Sequence, residues 1–297
     1  MRIGLLGTGP WARTVHAPAL AGHPGVEFAG VWGRRTEAAA EIAVEHGVPA
    51  YGDVDELLAE VDAVAVALAP HAQAEVAARA AEAGRHLLLD KPVALAVPEA
   101  RRVAEAVAAG GLASVVFFTL RFGGERVPWL AEQAARDDWF TARCDWLGSV
   151  FTSDSPYAES PWRRDKGALW DVGPHALSLL LPVLGDVAEV TAARGPGDTV
   201  HLVLGHTAGA SSSLALSLTA PPAAAGVALE LRGGSGTARL PEHGVPPVEA
   251  LGHAVDALLS AADGGGPHPC DAAFGLRVVE ILAAAEQALN GGATVRL

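Results

Sequence analysis

Lysine is almost missing from this chain. It occurs only at Lys91 and Lys166, and arginine carries nearly all the remaining basic charge. A chain that has kept an ammonium at just these places marks both for attention. Cysteine is as scarce. Cys144 and Cys270 are far apart and in no metal-ligand spacing, which argues against a disulfide framework and reads as two buried free thiols. Long apolar runs are missing too: none reaches the roughly 18 residues that span a bilayer. The N-terminus leads directly into a strand-like run over residues 3–6, with no basic segment ahead of a long apolar one, so no signal peptide is visible. A cytoplasmic location is expected. Positive charge is short overall. The net charge is −13 and the pI about 5.2, a field that repels nucleic acid and anionic membranes, so neither is expected as a partner.

What is present suits two domains. The chain has 297 residues, half of them hydrophobic, which is too long for one small core. Up to about residue 118, short β-rich runs (2–6, 26–32, 61–68, 86–89, 114–119) alternate with alanine-rich helical stretches. Thr36 reads as a helix cap and Gly47 as a left-handed stop; Asp53 with Glu56 reads as a capping box; Pro98 opens a helix that ends at Gly110-Gly111. Such alternation means a parallel sheet covered on both faces. After residue 118 the texture changes. A helix near 127–136, a strand near 139–147, a loop over 152–164 and a helix over 168–184 precede strand-like sequence over 187–240. Helices over 250–262 and 272–289 finish the chain. The expected fold is therefore α/β plus α+β: a dinucleotide-binding domain at 1–118 and a mostly antiparallel open-sheet domain at 119–297.

The first strand ends in Gly7-Thr8-Gly9-Pro10-Trp11-Ala12, a G-x-G-x-x-A turn that opens a helix. Gly7 permits the tight turn, Gly9 lets a pyrophosphate approach the backbone, and small Ala12 lets helix pack on strand. The second strand ends before Gly33-Arg34-Arg35. A carboxylate here would accept bonds from the ribose hydroxyls of NAD; two guanidiniums, with room made by Gly33, suit the 2′-phosphate of NADP(H) instead. The cofactor expectation is NADP(H), ahead of NAD(H).

Asp90-Lys91-Pro92 follows the strand at 86–89, at the carboxyl edge where open α/β sheets bind ligands. An ammonium there can donate to a substrate oxygen. Gly167 to His175 forms the other constellation. Asp171 and His175 are four apart, on one helix face if the helix runs through, and Pro174 leaves that local geometry open. His175 can carry a proton in either direction near neutral pH. The pair could also be half of a metal site, but no third ligand is evident, so no metal is expected. In the run from Ser213 to Leu218, leucines alternate with small residues: one face for a core, and one flat face suited to a second sheet. A homodimer, or a homotetramer built on it, is expected through that face.

These motifs together resemble the Gfo/Idh/MocA family of oxidoreductases, named for glucose–fructose oxidoreductase and inositol dehydrogenase. The likeness runs nearly end to end: Gly7 to Ala12, the segment from Pro70 to Pro92, Pro161-Trp162-Arg163, Gly167 to His175, and Pro269 to Ala272. It implies a Rossmann domain followed by an antiparallel sheet domain. It implies catalytic roles for Lys91, Asp171 and His175 around a nicotinamide ring. It also implies that Pro70, His71, Asp90, Trp162 and Arg163 line the cofactor and substrate cleft. Family members mostly interconvert a secondary alcohol and a ketone on a sugar or cyclic polyol. The departures are Asp90 where Glu is usual, Ala74 where a His often stands, and Ser178 where an acid is common, this last expected to shape the substrate side. Two other readings stand beside this one: a reductase of imines or non-sugar carbonyls, and a non-catalytic NADP-binding regulator.

Overall fold

The apolar strand runs are buried on both faces, as strands inside a parallel sheet must be. The computed structural model describes residues 1–297 except residue 153, which lies within the loop expected at 152–164. Strands β1 (Arg2–Leu6), β2 (Glu27–Trp32), β3 (Ala50–Tyr51), β4 (Ala63–Val66), β5 (His86–Asp90) and β6 (Ser114–Phe117) form a parallel sheet in the order β3-β2-β1-β4-β5-β6. The order reverses between β1 and β4, so their carboxyl ends form the ligand crevice typical of such sheets. A π-turn (Ala12–His16) runs into helix α1 (Ala17–Gly22). The other connections carry α2 (Thr36–His46), α3 (Val54–Ala59), α4 (Pro70–Glu82) and α5 (Val97–Gly110). Asp53 caps α3 by accepting from the Asp55 N–H at 2.8 Å, and Gly47 ends α2 at φ 68°. The cap of α2 differs from expectation. Arg35, in extended backbone, is the N-cap, Thr36 is the first helical residue, and no side chain caps the helix.

The second sheet is mixed. Helix α6 (Arg126–Ala134) leads to β7 (Trp139–Leu147), then α7 (Pro161–Asp171) and α8 (Gly173–Leu184). Strands β8 (Val187–Arg194), β9 (Val200–His206), β10 (Ser211–Ser217), β11 (Gly226–Gly233) and β12 (Gly236–Arg239) follow, then α9 (Pro247–Ser260), α10 (Ala272–Gly291) and β13 (Val295–Arg296). The order is β12-β11-β7-β10-β9-β8-β13, antiparallel except where β10 pairs with β7. Leu214, Leu216 and Leu218 are buried, as their alternation predicts. Ser217 is not on the open face: it is buried, and its hydroxyl donates to Asp198 at 2.9 Å. The stretch Pro161–Leu184 is long and apolar enough to cross a membrane, but 89% of its most apolar window is buried inside the fold.

The chain divides into two compact units, and the division is not a single cut at residue 118. One unit holds Met1–Gly123 and Val245–Leu276; the other holds Gly124–Gly244 and Arg277–Leu297. Helix α9 therefore belongs with the parallel sheet, packed on β5, β6, the π-turn and α1. His23 and Asp256 join α1's end to α9 at 3.1 Å. The segment before α10 is tied to β6, where the Val116 N–H donates to Cys270 O at 2.6 Å and the Ala272 N–H donates to Ser114 Oγ at 3.0 Å.

Candidate active site

In the first unit the glycine turn is built for close approach. Gly7 has φ 139°, and a Cβ there would come 2.2 Å from Ala67 O, so only glycine fits. A Cβ on Gly9 would meet nothing within 4 Å, so the bare backbone faces open space at the start of the helical turn carrying Pro10 and Trp11. Buried Ala12 packs the turn on the sheet. At the end of β2, a Cβ on Gly33 would lie 2.5 Å from Thr8 Cγ2. Gly33 thus lets this edge pass against the glycine turn, with Arg34 and Arg35 exposed just beyond. These features fit a dinucleotide: an open backbone face for the pyrophosphate and guanidiniums beside the second strand.

Asp90 closes β5, and the Lys91–Pro92 peptide is cis. Gln73, on α4 and fully buried, holds this turn from behind. Its amide donates to Asp90 O at 2.7 Å and Pro92 O at 2.9 Å, and its carbonyl accepts from the Asp90 N–H at 3.1 Å. The sequence reading passed over Gln73 and remarked on its neighbour Ala74, which is buried without a polar role. Pro70 opens α4 and His71 is exposed. A second residue passed over is His16, fully buried in the π-turn with its Nε2 3.9 Å from an Asp90 carboxylate oxygen. Burial pushes its pKa down to about 3, so the ring is neutral at physiological pH.

In the second unit, Trp162 and Arg163 lie in the first turn of α7 rather than in a loop. The Arg163 guanidinium sits 4.4 Å from the Tyr157 ring centroid and 4.6 Å from that of Trp162, and its Nε donates to the Asp171 carboxylate at 2.9 Å. Asp171 is 6% exposed. Stripping one partner from such a buried pair typically costs about 3–5 kcal/mol. Arg163 thus has a role beyond lining a cleft. Gly167 interrupts α7 at φ 62°, ψ −161°, and the next N–H, that of Ala168, donates to Asp198 Oδ2 at 3.1 Å. Asp198 also accepts from Ser217 Oγ and from the Leu218 and Thr219 N–H groups, fixing where the helix restarts.

Asp171 ends α7, Val172 bridges, and Pro174 occupies the first turn of α8, where its missing N–H costs nothing. Asp171 and His175 therefore straddle a helix junction. His175 is 8% exposed and lies under Trp146 of β7, ring centroids 5.0 Å apart and planes 15° from parallel. Ser178 is fully buried, and its hydroxyl donates to His175 O at 2.7 Å, which braces the helix. Lys166 is a structural lysine: its ammonium meets Glu286 at 3.1 Å, and the same carboxylate accepts from Trp170 Nε1 at 3.2 Å. The structure thus gathers Gly7 to Trp11, Gly33 to Arg35, Pro70 and Asp90-Lys91 at one sheet edge, and Trp162, Arg163, Asp171 and His175 around one helix junction.

Comparison with known proteins matches residues 1–118 to an oxidoreductase family model described as an NAD-binding Rossmann fold, and residues 145–239 to the Gfo/Idh/MocA C-terminal domain. A UDP-N-acetylglucosamine 3-dehydrogenase of Acidithiobacillus ferrooxidans is 41% identical over 100 residues, 34% of this chain and 31% of that protein. A dTDP-3,4-didehydro-2,6-dideoxy-alpha-D-glucose 3-reductase of Streptomyces violaceoruber is 31% identical over 208 residues, 68% of this chain and 59% of that one. Across eight curated relatives the matched stretch spans 31% to 65% of their lengths. A levoglucosan dehydrogenase solved with NADH and levoglucosan shares the fold throughout, with TM-score 0.86 at 20% identity over 100% of this chain and 99% of its own.

Proposed function

Because the chain belongs to the Gfo/Idh/MocA family of oxidoreductases, we propose that it transfers a hydride between NADP(H) and a secondary alcohol or ketone on a sugar, sugar derivative or cyclic polyol. The observation that carries this reading is a glycine turn open at Gly9, together with a buried Asp171 held by Arg163 and a buried His175 one helix junction on. The relatives named for sugar-nucleotide substrates support the substrate class. The preference for NADP(H) is supported by Arg34 and Arg35, exposed beside Gly33 where an NAD site would carry a carboxylate.

A bound nicotinamide would supply the hydride acceptor in oxidation and the hydride donor in reduction. The protein's part is binding, placement and proton transfer. The backbone at Gly7 to Trp11 holds the pyrophosphate. In the oxidative direction the His175 imidazole takes the hydroxyl proton, and the Lys91 ammonium donates a hydrogen bond to the same oxygen as negative charge develops on it. Asp171, paired with Arg163, balances the positive charge that His175 gains.

The assembly proposed is a homodimer, or a homotetramer built on it, through the open face of the second sheet. On that face Ser213 lies opposite Val203, which is 55% exposed, and Ala215 lies opposite His201. On the other side of β10, Ser213 lies beside Arg143 and Ala215 beside Asp145, so the small residues of the strand adjoin an Arg143–Asp145 ion pair on β7. A cytoplasmic location suits the two buried free thiols.

A turnover panel tests the reaction. UDP-N-acetylglucosamine, levoglucosan and myo-inositol with oxidised cofactor, and keto-sugars, simple ketones and imines with NADPH and NADH, are the arms. Turnover of a sugar-type substrate is expected, faster at low concentrations of the phosphorylated cofactor. Turnover confined to imines or non-sugar carbonyls would move the substrate class, and binding of NADPH without any turnover would favour a regulator.

A further inference from the structure

Trp146 takes no part in the mechanism above. It shares the helix-covered face of β7 with Ala142 and Cys144, both buried. In register it lies between Leu216 of β10 and Val227 of β11. Its ring is stacked flat on His175, 15° from parallel.

A histidine side chain has two torsions. The second joins an sp³ to an sp² carbon, and its preferences are broad and two-fold. The plane of the ring is therefore the least determined feature of a histidine base. Yet a ring nitrogen takes a proton only along its lone pair, which lies in that plane. A parallel aromatic surface removes the freedom, because tilting the imidazole drives its edge into the indole. A half-turn of the ring keeps the stack and puts each nitrogen where a ring carbon was. The stack thus sets the plane and leaves the choice between the two flips to hydrogen bonding. The same platform serves the ring after it gains a proton, since an indole face attracts a cation.

We propose that Trp146 is a positioning residue: a flat platform that fixes the plane of the His175 imidazole for proton transfer. The proposal rests on His175 being the base of the hydride-transfer reaction. The charged groups described on its own and neighbouring elements have partners. Asp171 is one turn earlier, paired with Arg163. Lys166 of α7 is engaged with Glu286. The Cys144 thiol is pushed up to about 12 by burial and stays neutral. On α6, Arg126 donates to the carbonyls of Pro241 and Glu242, and Glu132 meets Arg136. Asp145 alternates to the other face of β7, where it meets Arg143.

Two readouts test this. In the free protein, without cofactor or substrate, protonation of an imidazole stacked on an indole quenches its emission. Tryptophan fluorescence should therefore fall in a single-proton step as pH is lowered, and the step should vanish in both Trp146→Phe and His175→Gln. In turnover with whichever panel substrate is active, folded Trp146→Leu should lose about 10-fold in kcat with the KM for cofactor unchanged, and Trp146→Phe should recover to within about 3-fold of the parent. A quenching step that survives Trp146→Phe would overturn the stack. Equal turnover of the Leu variant and the parent, or equal loss in the Leu and Phe variants, would overturn the positioning role. A quenching step in a protein that turns over nothing would remove the reaction the platform serves, and the proposal with it.

Discussion

The proposed cofactor choice rests on single residues, and so does part of the pH response. Arg34 is assigned to the 2′-phosphate because a guanidinium stands where an NAD site would have a carboxylate, and it lies exposed at the end of β2. A charge-assisted contact to a 2′-phosphate is worth about 1.5–3 kcal/mol. Arg34→Ala should therefore raise the KM for NADPH roughly 10-fold or more and leave that for NADH little changed. Equal losses with both cofactors would refute the assignment. His16 was not legible, because a histidine in an alanine-rich helix gives no sign that tertiary packing will bury it completely. Its folded pKa, about 3, is depressed from the unfolded value of 6.5. Below pH 6.5 the unfolded chain takes up a proton that the folded chain refuses. His16 thus contributes stability that is fully present above pH 6.5 and lost as pH falls toward 3. Between pH 6 and pH 5 the loss amounts to about 1 kcal/mol. In denaturant melts at those two pH values His16→Leu should fall less steeply than the parent by about that amount, and an unchanged slope would show that the ring is solvated.

At the scale of elements, the sequence was most readable where burial is uniform. The apolar strands β1 and β5 were found to within a residue because a strand covered on both faces is a continuous apolar run. The two-residue edge strands β3 and β13 were invisible, since a pair of residues shows no period. Helix α9 was seen as a helix but assigned to the wrong sheet: its amphipathic pattern states that it has a buried face and says nothing about which surface covers it. The turn at Asp90-Lys91-Pro92 divides in the same way. The scarcity of lysine exposed Lys91, while Gln73, which holds the turn through backbone groups 17 and 19 residues away, gave no local signal. Gln73→Leu keeps the volume and strands several buried backbone groups at about 1–3 kcal/mol each. A clear fall in melting temperature and a fall in kcat of about 10-fold are expected, because Lys91 leaves its set position. Unchanged turnover in the folded variant would show that the turn holds itself.

For the whole molecule, two compact units, one a parallel sheet and the other a mixed sheet with an open face, bear separate parts of the proposed function. The open face predicts assembly. Sedimentation at micromolar concentration should give a species at least twice the 30.3 kDa of the chain, and Ala215→Arg, which sets a charge in the middle of the face, should dissociate it while leaving it folded. A 30.3 kDa parent would refute the dimer, and an Ala215→Arg protein that stays assembled would move the interface elsewhere. The proposed reaction assigns its proton chemistry to Lys91 and His175. The most direct test is kcat for Lys91→Ala and His175→Ala, measured with the active panel substrate beside NADPH binding by fluorescence. Positioned acid–base groups supply about 100-fold or more, so each variant should lose at least that much turnover, with NADPH binding intact in the His175 variant. Near-normal turnover in His175→Ala would contradict the account and send the search for another base.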